Sequence, residues 1–200
     1  MKLLDILFGR TKPVASSVEN LFSISTAQIS LAATFDANPT GRAGITFKPV
    51  EASDFDAAEN ELKGLLEITA KESKTRSRIV RDRFNYAWVL LEDKEFEDLV
   101  AAMHMTSVTL REHGFEEQLL AAVFQFADRH GRDVYWIYNY KRGSFYPFVP
   151  LGNQKRDNAY ELRLRALMEK EMPIEPELER WYPLWDLPLG AGGAGESKDL

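Results

Sequence analysis

Residues 118–149 read QLLAAVFQFADRHGRDVYWIYNYKRGSFYPFV. Three runs, Gln118–Ala127, Asp133–Tyr140 and Phe145–Val149, are rich in the apolar and aromatic side chains that suit a pleated surface. Between them stand Asp128-Arg129-His130-Gly131-Arg132 and Lys141-Arg142-Gly143-Ser144. Links that short reverse the chain and force neighbouring strands to run antiparallel. The stretch predicts a three-stranded antiparallel meander, from which the rest of the fold is built outward.

Downstream, Tyr160, Leu164, Leu167 and Met168 recur at helical spacing, which predicts a helix from about Asp157 to Glu171, with Arg156-Asp157-Asn158 as its cap. Pro173 and Pro176 stop it. The closing segment Glu179–Leu187 holds Trp181, Tyr182 and Trp185 between prolines that bar a regular helix or a central strand. It is expected to lie across the meander. The rest, residues 189–200, has the composition of a flexible tail.

Upstream, Phe96, Leu99, Val100, Met103, Ser107 and Leu110 mark a helix over residues 94–113, with Gly114 at the left-handed position beyond its end. Phe84, Tyr86, Trp88 and Leu90 alternate as in a strand over Phe84–Leu91. The charged run KESKTRSRIVRDR precedes it, and reads as a solvated loop and strand edge or as a docking site for an acidic partner or anionic lipid. Ser53 and Asp56 resemble a capping box opening a helix with Phe55, Ala58, Leu62, Leu65 and Leu66 on one stripe. Gln28–Asp36 and Gly44–Val50 read as a hairpin about Asn38-Pro39-Thr40-Gly41, with a short helix near Val18–Phe22 before it. Residues 1–12 read as a short amphipathic helix with Leu3, Leu4, Leu7 and Phe8 on one side. The fold class is α+β: an antiparallel sheet made of the hairpin, the meander and one further strand, covered by about three amphipathic helices in a two-layer sandwich. Residues 1–188 are expected to form a single domain.

The chain of 200 residues has 25 Lys and Arg against 31 Asp and Glu, a net charge of −6, which argues against a dedicated nucleic-acid binder. It contains no cysteine, so disulfides and thiolate chemistry are excluded. The apolar run at the start is too short for a signal peptide, and no segment approaches the roughly 20 apolar residues of a membrane span. The cytoplasm is the expected compartment. The N-terminal helix adds the option of a peripheral position at the inner face of the membrane, through weak contact of Leu3, Leu4, Leu7 and Phe8 with anionic lipid.

His104, His113 and His130 show no metal-ligand spacing, and no nucleophile elbow, phosphate loop or dinucleotide fingerprint occurs. No catalytic residue, cofactor or metal is expected. Three stretches read together carry a resemblance: MKLLDILFGRTKP at the start, YNYKRGSFYPFVP in the centre, and QKRDNAYELRLR with PIEPELERWYPLW near the end. The combination resembles the PspA-associated protein PspAB family over about residues 1–188. The resemblance implies an accessory role in a phage-shock type of membrane-stress response, beside PspA homologues and the membrane protease HtpX, and it implies no catalytic residues. The leading expectation is a non-enzymatic adaptor that binds a PspA-type protein or an associated factor such as HtpX. The alternatives are a small hydrolase with an Asp/Glu/Arg/Tyr site and a membrane-surface protein anchored by its N-terminal helix. Candidate partner-binding residues are Lys141, Arg142, Tyr146, Arg156, Trp181 and Trp185. Phe145, Tyr146 and Phe148 cannot all face one core from a short strand. Either the Trp181–Trp185 segment covers Tyr146, or an aromatic patch lies open to a partner.

Overall fold

A computed structural model of the chain describes residues 20–48, 63–64, 74–82, 84, 86–112, 114–185 and 187–189. The helix expected over residues 1–12, the one after Ser53 apart from the helical Lys63 and Gly64, His113 and residues 190–200 lie outside these residues.

The meander is present as β4 (Leu119–Ala127), β5 (Asp133–Asn139) and β6 (Ser144–Phe148). It forms half of a six-stranded antiparallel sheet that also contains β1 (Asn38–Phe47), β2 (Arg76–Arg81) and β3 (Ala87–Glu92), in the order β2-β3-β1-β4-β5-β6. A two-stranded ribbon, β7 (Pro150–Gly152) with β8 (Lys155–Arg156), follows. Helices α1 (Ser23–Phe35), α2 (Phe96–Glu112) and α3 (Asn158–Met168) supply core residues to one side of the sheet. The α+β class and the helical cover agree with expectation.

The helix expected over 94–113 is α2, and all six of its predicted inward residues are buried. It ends in a Schellman motif: the Gly114 N–H donates to the Arg111 carbonyl and the Phe115 N–H to the Leu110 carbonyl, with Gly114 at φ +85°. The Phe115 ring then meets Phe47 edge-on at 5.9 Å. α2 links β3 to β4, which lie parallel on either side of β1, so the helix is a crossover connection. Asp157 caps α3, its side chain accepting from the Tyr160 N–H at 3.0 Å.

The hairpin over 28–50 is corrected. Residues Ser23–Phe35 are helical, and β1 pairs with β3 and β4 rather than with its own upstream segment. Ile29 and Leu31, two apart, are as compatible with a strand as with a helix. The buried stripe is instead Ile24, Ala27 and Leu31 at helical spacing, while Ile29 is 67% exposed. α1 carries no charged residue, so its outer face gives no polar periodicity to read. The Asn38-Pro39-Thr40-Gly41 turn is likewise corrected: it is an irregularity inside β1, where the pairing with β4 shifts between Pro39 and Arg42. Gly41 sits there at φ +77°, and a Cβ on it would lie 2.4 Å from the Asp93 carbonyl oxygen, so only glycine fits. The strand expected at Phe84–Leu91 begins at Ala87. Trp88 and Leu90 are buried, whereas Phe84 and Tyr86 precede the strand and are exposed.

Candidate partner-binding surfaces

Among the described residues, no α-helix lies on the second face of the sheet. Trp88, Leu90, Val123, Tyr135, Ile137, Tyr146 and Phe148 form a second apolar cluster there, closed by Trp181 and Leu189 with Leu184, Trp185 and Leu187. The chain from Pro173 to Leu189 thus acts as a strap across the meander. Its first residues extend the sheet at β6: the Phe145 N–H donates to the Pro173 carbonyl (2.7 Å), and the Phe145 carbonyl accepts from the Glu175 N–H (2.8 Å). Leu189, which composition placed at the start of the tail, is only 4% exposed, and its carbonyl accepts from Arg42 Nη1 at 3.0 Å.

Five of the six predicted partner-binding residues converge on this strap. Tyr146 stacks on Trp181 with ring centroids 6.3 Å apart and donates from its hydroxyl to the Tyr182 carbonyl. Trp185 meets Phe148 edge-on at 5.1 Å. The Trp181 indole N–H donates to the Glu175 carbonyl at 2.9 Å. Arg156 is the hub. Its Nε reaches both oxygens of Glu161 (3.0 and 2.8 Å), Nη1 donates to the Trp181 carbonyl (2.6 Å), and Nη2 to the Pro147 carbonyl (3.3 Å). The guanidinium also lies 5.1 Å from the Phe148 ring centroid. Arg142 approaches Glu175 at 3.7 Å, while Lys141 is exposed on the β5–β6 turn. Tyr146 and Trp181 are 3% and 6% exposed, so their rings already have an intramolecular partner.

Two carboxylates organise the strap, and sequence reasoning picked out neither. Glu175 is buried, with Arg180, Arg142 and the Ser144 hydroxyl around it. Glu161 is buried on α3, where Oε1 accepts from the Val149 N–H at 2.8 Å. Burial pushes its carboxyl above the ordinary range, although Arg156 and the Val149 N–H pull the other way. The signal for Glu161 was the charge at 161 beside Tyr160 on the inward side of the helix, and periodicity alone could not tell a buried acid from a flanking one. Asp128, in the β4–β5 turn, shows the opposite balance. Burial raises its pKa, but the Arg132 N–H and guanidinium and the His130 N–H outweigh this and hold it below the usual carboxylate value. Burial also pushes the Tyr146 hydroxyl far above its ordinary pKa, so it keeps its proton.

Elsewhere, a cleft of about 1260 Å³ opens between α2, the start of β1 and the start of β2, lined by both signs of charge: Arg42, Lys74 and Arg76 against Glu92, Asp93 and Asp98. Of the basic run, Arg76, Arg78 and Arg81 fall on β2, at the edge of the six-stranded sheet. His104 lies against Phe22 with ring centroids 4.7 Å apart, and burial followed by the charge of Arg111 lowers its pKa. His130 is exposed and accepts from Arg129 Nε. Among the described residues no group of three or more His, Asp or Glu is placed to hold a metal, and no helix is long and apolar enough to cross a membrane.

The family model for PspA associated protein B matches residues 1–189, and the chain belongs to that family. A search of curated proteins and a search of solved structures each found no match to it.

Proposed function

We propose that this member of the PspA associated protein B family is a non-enzymatic accessory protein of a PspA-type membrane-stress response, working by protein–protein binding in the cytoplasm at the inner face of the membrane. The observation that carries the reading is the family match over residues 1–189, whose description is association with PspA. The fate of the ionisable groups agrees with it. Glu161, Glu175, Arg142, Arg156 and Tyr146 face one another and the strap backbone rather than a cleft. Their geometry fastens a segment in place.

The test is direct. The purified chain is titrated with the PspA-type protein of the same organism by calorimetry, and in parallel is used as bait in native cells with and without membrane stress. A saturable complex, enriched under stress, is the expected result. Absence of association in both experiments defeats the proposal. The HtpX protease is carried as the second bait-partner to score in the same capture, and anionic vesicles as the membrane control.

A further inference from the structure

We propose that the outer edge of β2 is a docking site for an acidic, extended segment of a partner protein, which adds to the sheet as a further strand. The proposal rests on the binding role proposed above and names the surface through which it acts.

The two edges of the sheet differ. At β6 the chain closes its own edge through the Phe145–Ile174 bridge. At β2, among the described residues, β3 is the sole strand neighbour. An edge strand presents a row of backbone donors and acceptors ready to pair with another chain, and natural sheets blunt it with bulges, prolines or charge. β2 has no proline, and its six residues pair with β3 in unbroken register from Arg76↔Glu92 to Arg81↔Ala87. Charge is the device it carries, and all of it has one sign: the sequence is RSRIVR in a chain of net charge −6. Arg76 and Arg78, on one face of the strand, oppose pairing with a second copy in which they would stand opposite one another across the new ladder. The same two side chains favour a strand bearing carboxylates. Repulsion of one partner and attraction of another come from the same pair, Arg76 and Arg78, which stand two apart on one face of the strand.

The strand is also held ready. At its far end the Asp82 carboxylate accepts from the Phe84 and Tyr86 N–H groups and from the Trp88 indole N–H, which fixes the turn that follows the strand. At its near end Thr75 donates to Asp93 at 2.7 Å. Binding to a strand already pinned at both ends carries a smaller ordering cost. Arg76 contacts Glu92 at 3.4 Å with its side chain 84% exposed, a surface pair weak enough to exchange for a partner carboxylate. Main-chain pairing would supply affinity and the arginines specificity.

The experiment follows backbone amide exchange across residues 76–81 in the full chain, alone and with three additions: the PspA-type protein, the capped peptide acetyl-(Glu-Val)4-amide, and phosphatidylglycerol vesicles. Alternate β2 amides should exchange rapidly in the free chain and become protected with the protein and the acidic peptide, but not with the matching Lys-Val peptide. Arg76→Gln/Arg78→Gln, at exposed positions and with no new charge set against Glu92, should change the melting temperature little and weaken both complexes at least tenfold. Uniform protection of β2 in the free chain overturns the proposal, because the edge is then already covered. A PspA complex that protects other residues and tolerates the double variant overturns it while the adaptor reading stands. Protection by the acidic peptide without any PspA complex supports the edge and defeats the adaptor reading instead. Protection by vesicles and by neither protein nor peptide makes the strand a membrane contact, and the proposal fails.

Discussion

The two faces of the sheet are covered by different kinds of chain, and different forces hold the covers on. On one face lie three helices, whose backbones satisfy their own hydrogen bonds and need only a fitting apolar stripe, such as Phe96, Leu99, Val100 and Met103 on α2. On the other lies the strap, an irregular segment with one short 3-10 turn at Leu178–Arg180. Its carbonyls at Pro173, Glu175, Trp181 and Tyr182 have no helix to pair within: the first, third and fourth are met from outside, by the Phe145 N–H, Arg156 and Tyr146, and that of Glu175 by the strap's own Trp181 indole. Apolar fit suffices for a helix, whereas a strap also needs donors placed carbonyl by carbonyl.

Substitutions on the strap side should therefore be the more damaging. Trp181→Ala removes the ring stacked on Tyr146 and the indole bond to Glu175, and should cost about 3–5 kcal/mol, seen as a sharp fall in melting temperature. If it melts as the parent does yet loses a cellular partner, the strap is an epitope and not a cover. Arg156→Met should come close behind, at roughly 3 kcal/mol, because it leaves Glu161 charged and buried without its partner. The double variant Arg156→Met/Glu161→Met should recover part of that loss, and a denaturant double-mutant cycle measures how much. No recovery would mean that Arg156 acts mainly through the Trp181 and Pro147 carbonyls.

The β4–β5 turn allows a pH test on the same scale. Asp128→Asn should cost about 1–3 kcal/mol near neutrality, through its charge-assisted bonds to Arg132 and the turn N–H groups. The folded state holds the Asp128 pKa below its unfolded value, so this contribution is complete above the unfolded pKa and is lost as pH falls through the folded one. Parent and variant should converge in stability in strong acid. Glu161, with its pKa raised, has the opposite slope: its term favours folding at low pH and declines as pH climbs through the folded value. The smallest effect belongs to the outside of the helical face, where Ile29→Ser should shift stability by less than about 0.5 kcal/mol. A larger loss would show that something covers α1.

The contrast between the two faces also explains what the sequence made legible. The meander, α2 and α3 were readable because turn residues and helical periodicity are local signals, and Gly114 and Asp157 stand where their caps require. The arrival of Trp181 on the meander could be anticipated, since two tryptophans among prolines must find cover somewhere. α1 was misread because its 13 residues hold no charge to mark an outer side. β1 was misplaced because its partners lie at 87–92 and 119–127, and strand pairing over such separations leaves no trace in a local pattern. Glu161 and Glu175 were invisible because a carboxylate reveals its burial only through the arginines that face it: Arg142 reaches Glu175 from the β5–β6 turn, and Arg156, although five residues before Glu161, stands on β8 outside the helix whose spacing was read.

The strap has a consequence in time. Leu189 packs in the same cluster as Trp88 and Leu90, so the last stretch of the described chain completes a surface whose other parts were made about a hundred residues earlier. Translation proceeds at about 5–20 residues per second and domains assemble from the N-terminal side. For something on the order of ten seconds, then, the half-built protein offers Trp88 and Leu90, and later Tyr135, Tyr146 and Phe148, without their lid. During that interval the newborn chain is most open to holdase chaperones and to misassembly with its neighbours on the same message. Ribosomes stalled before residue 173 should therefore carry nascent chains that recruit such chaperones strongly, and ribosomes stalled well past Leu189 should not.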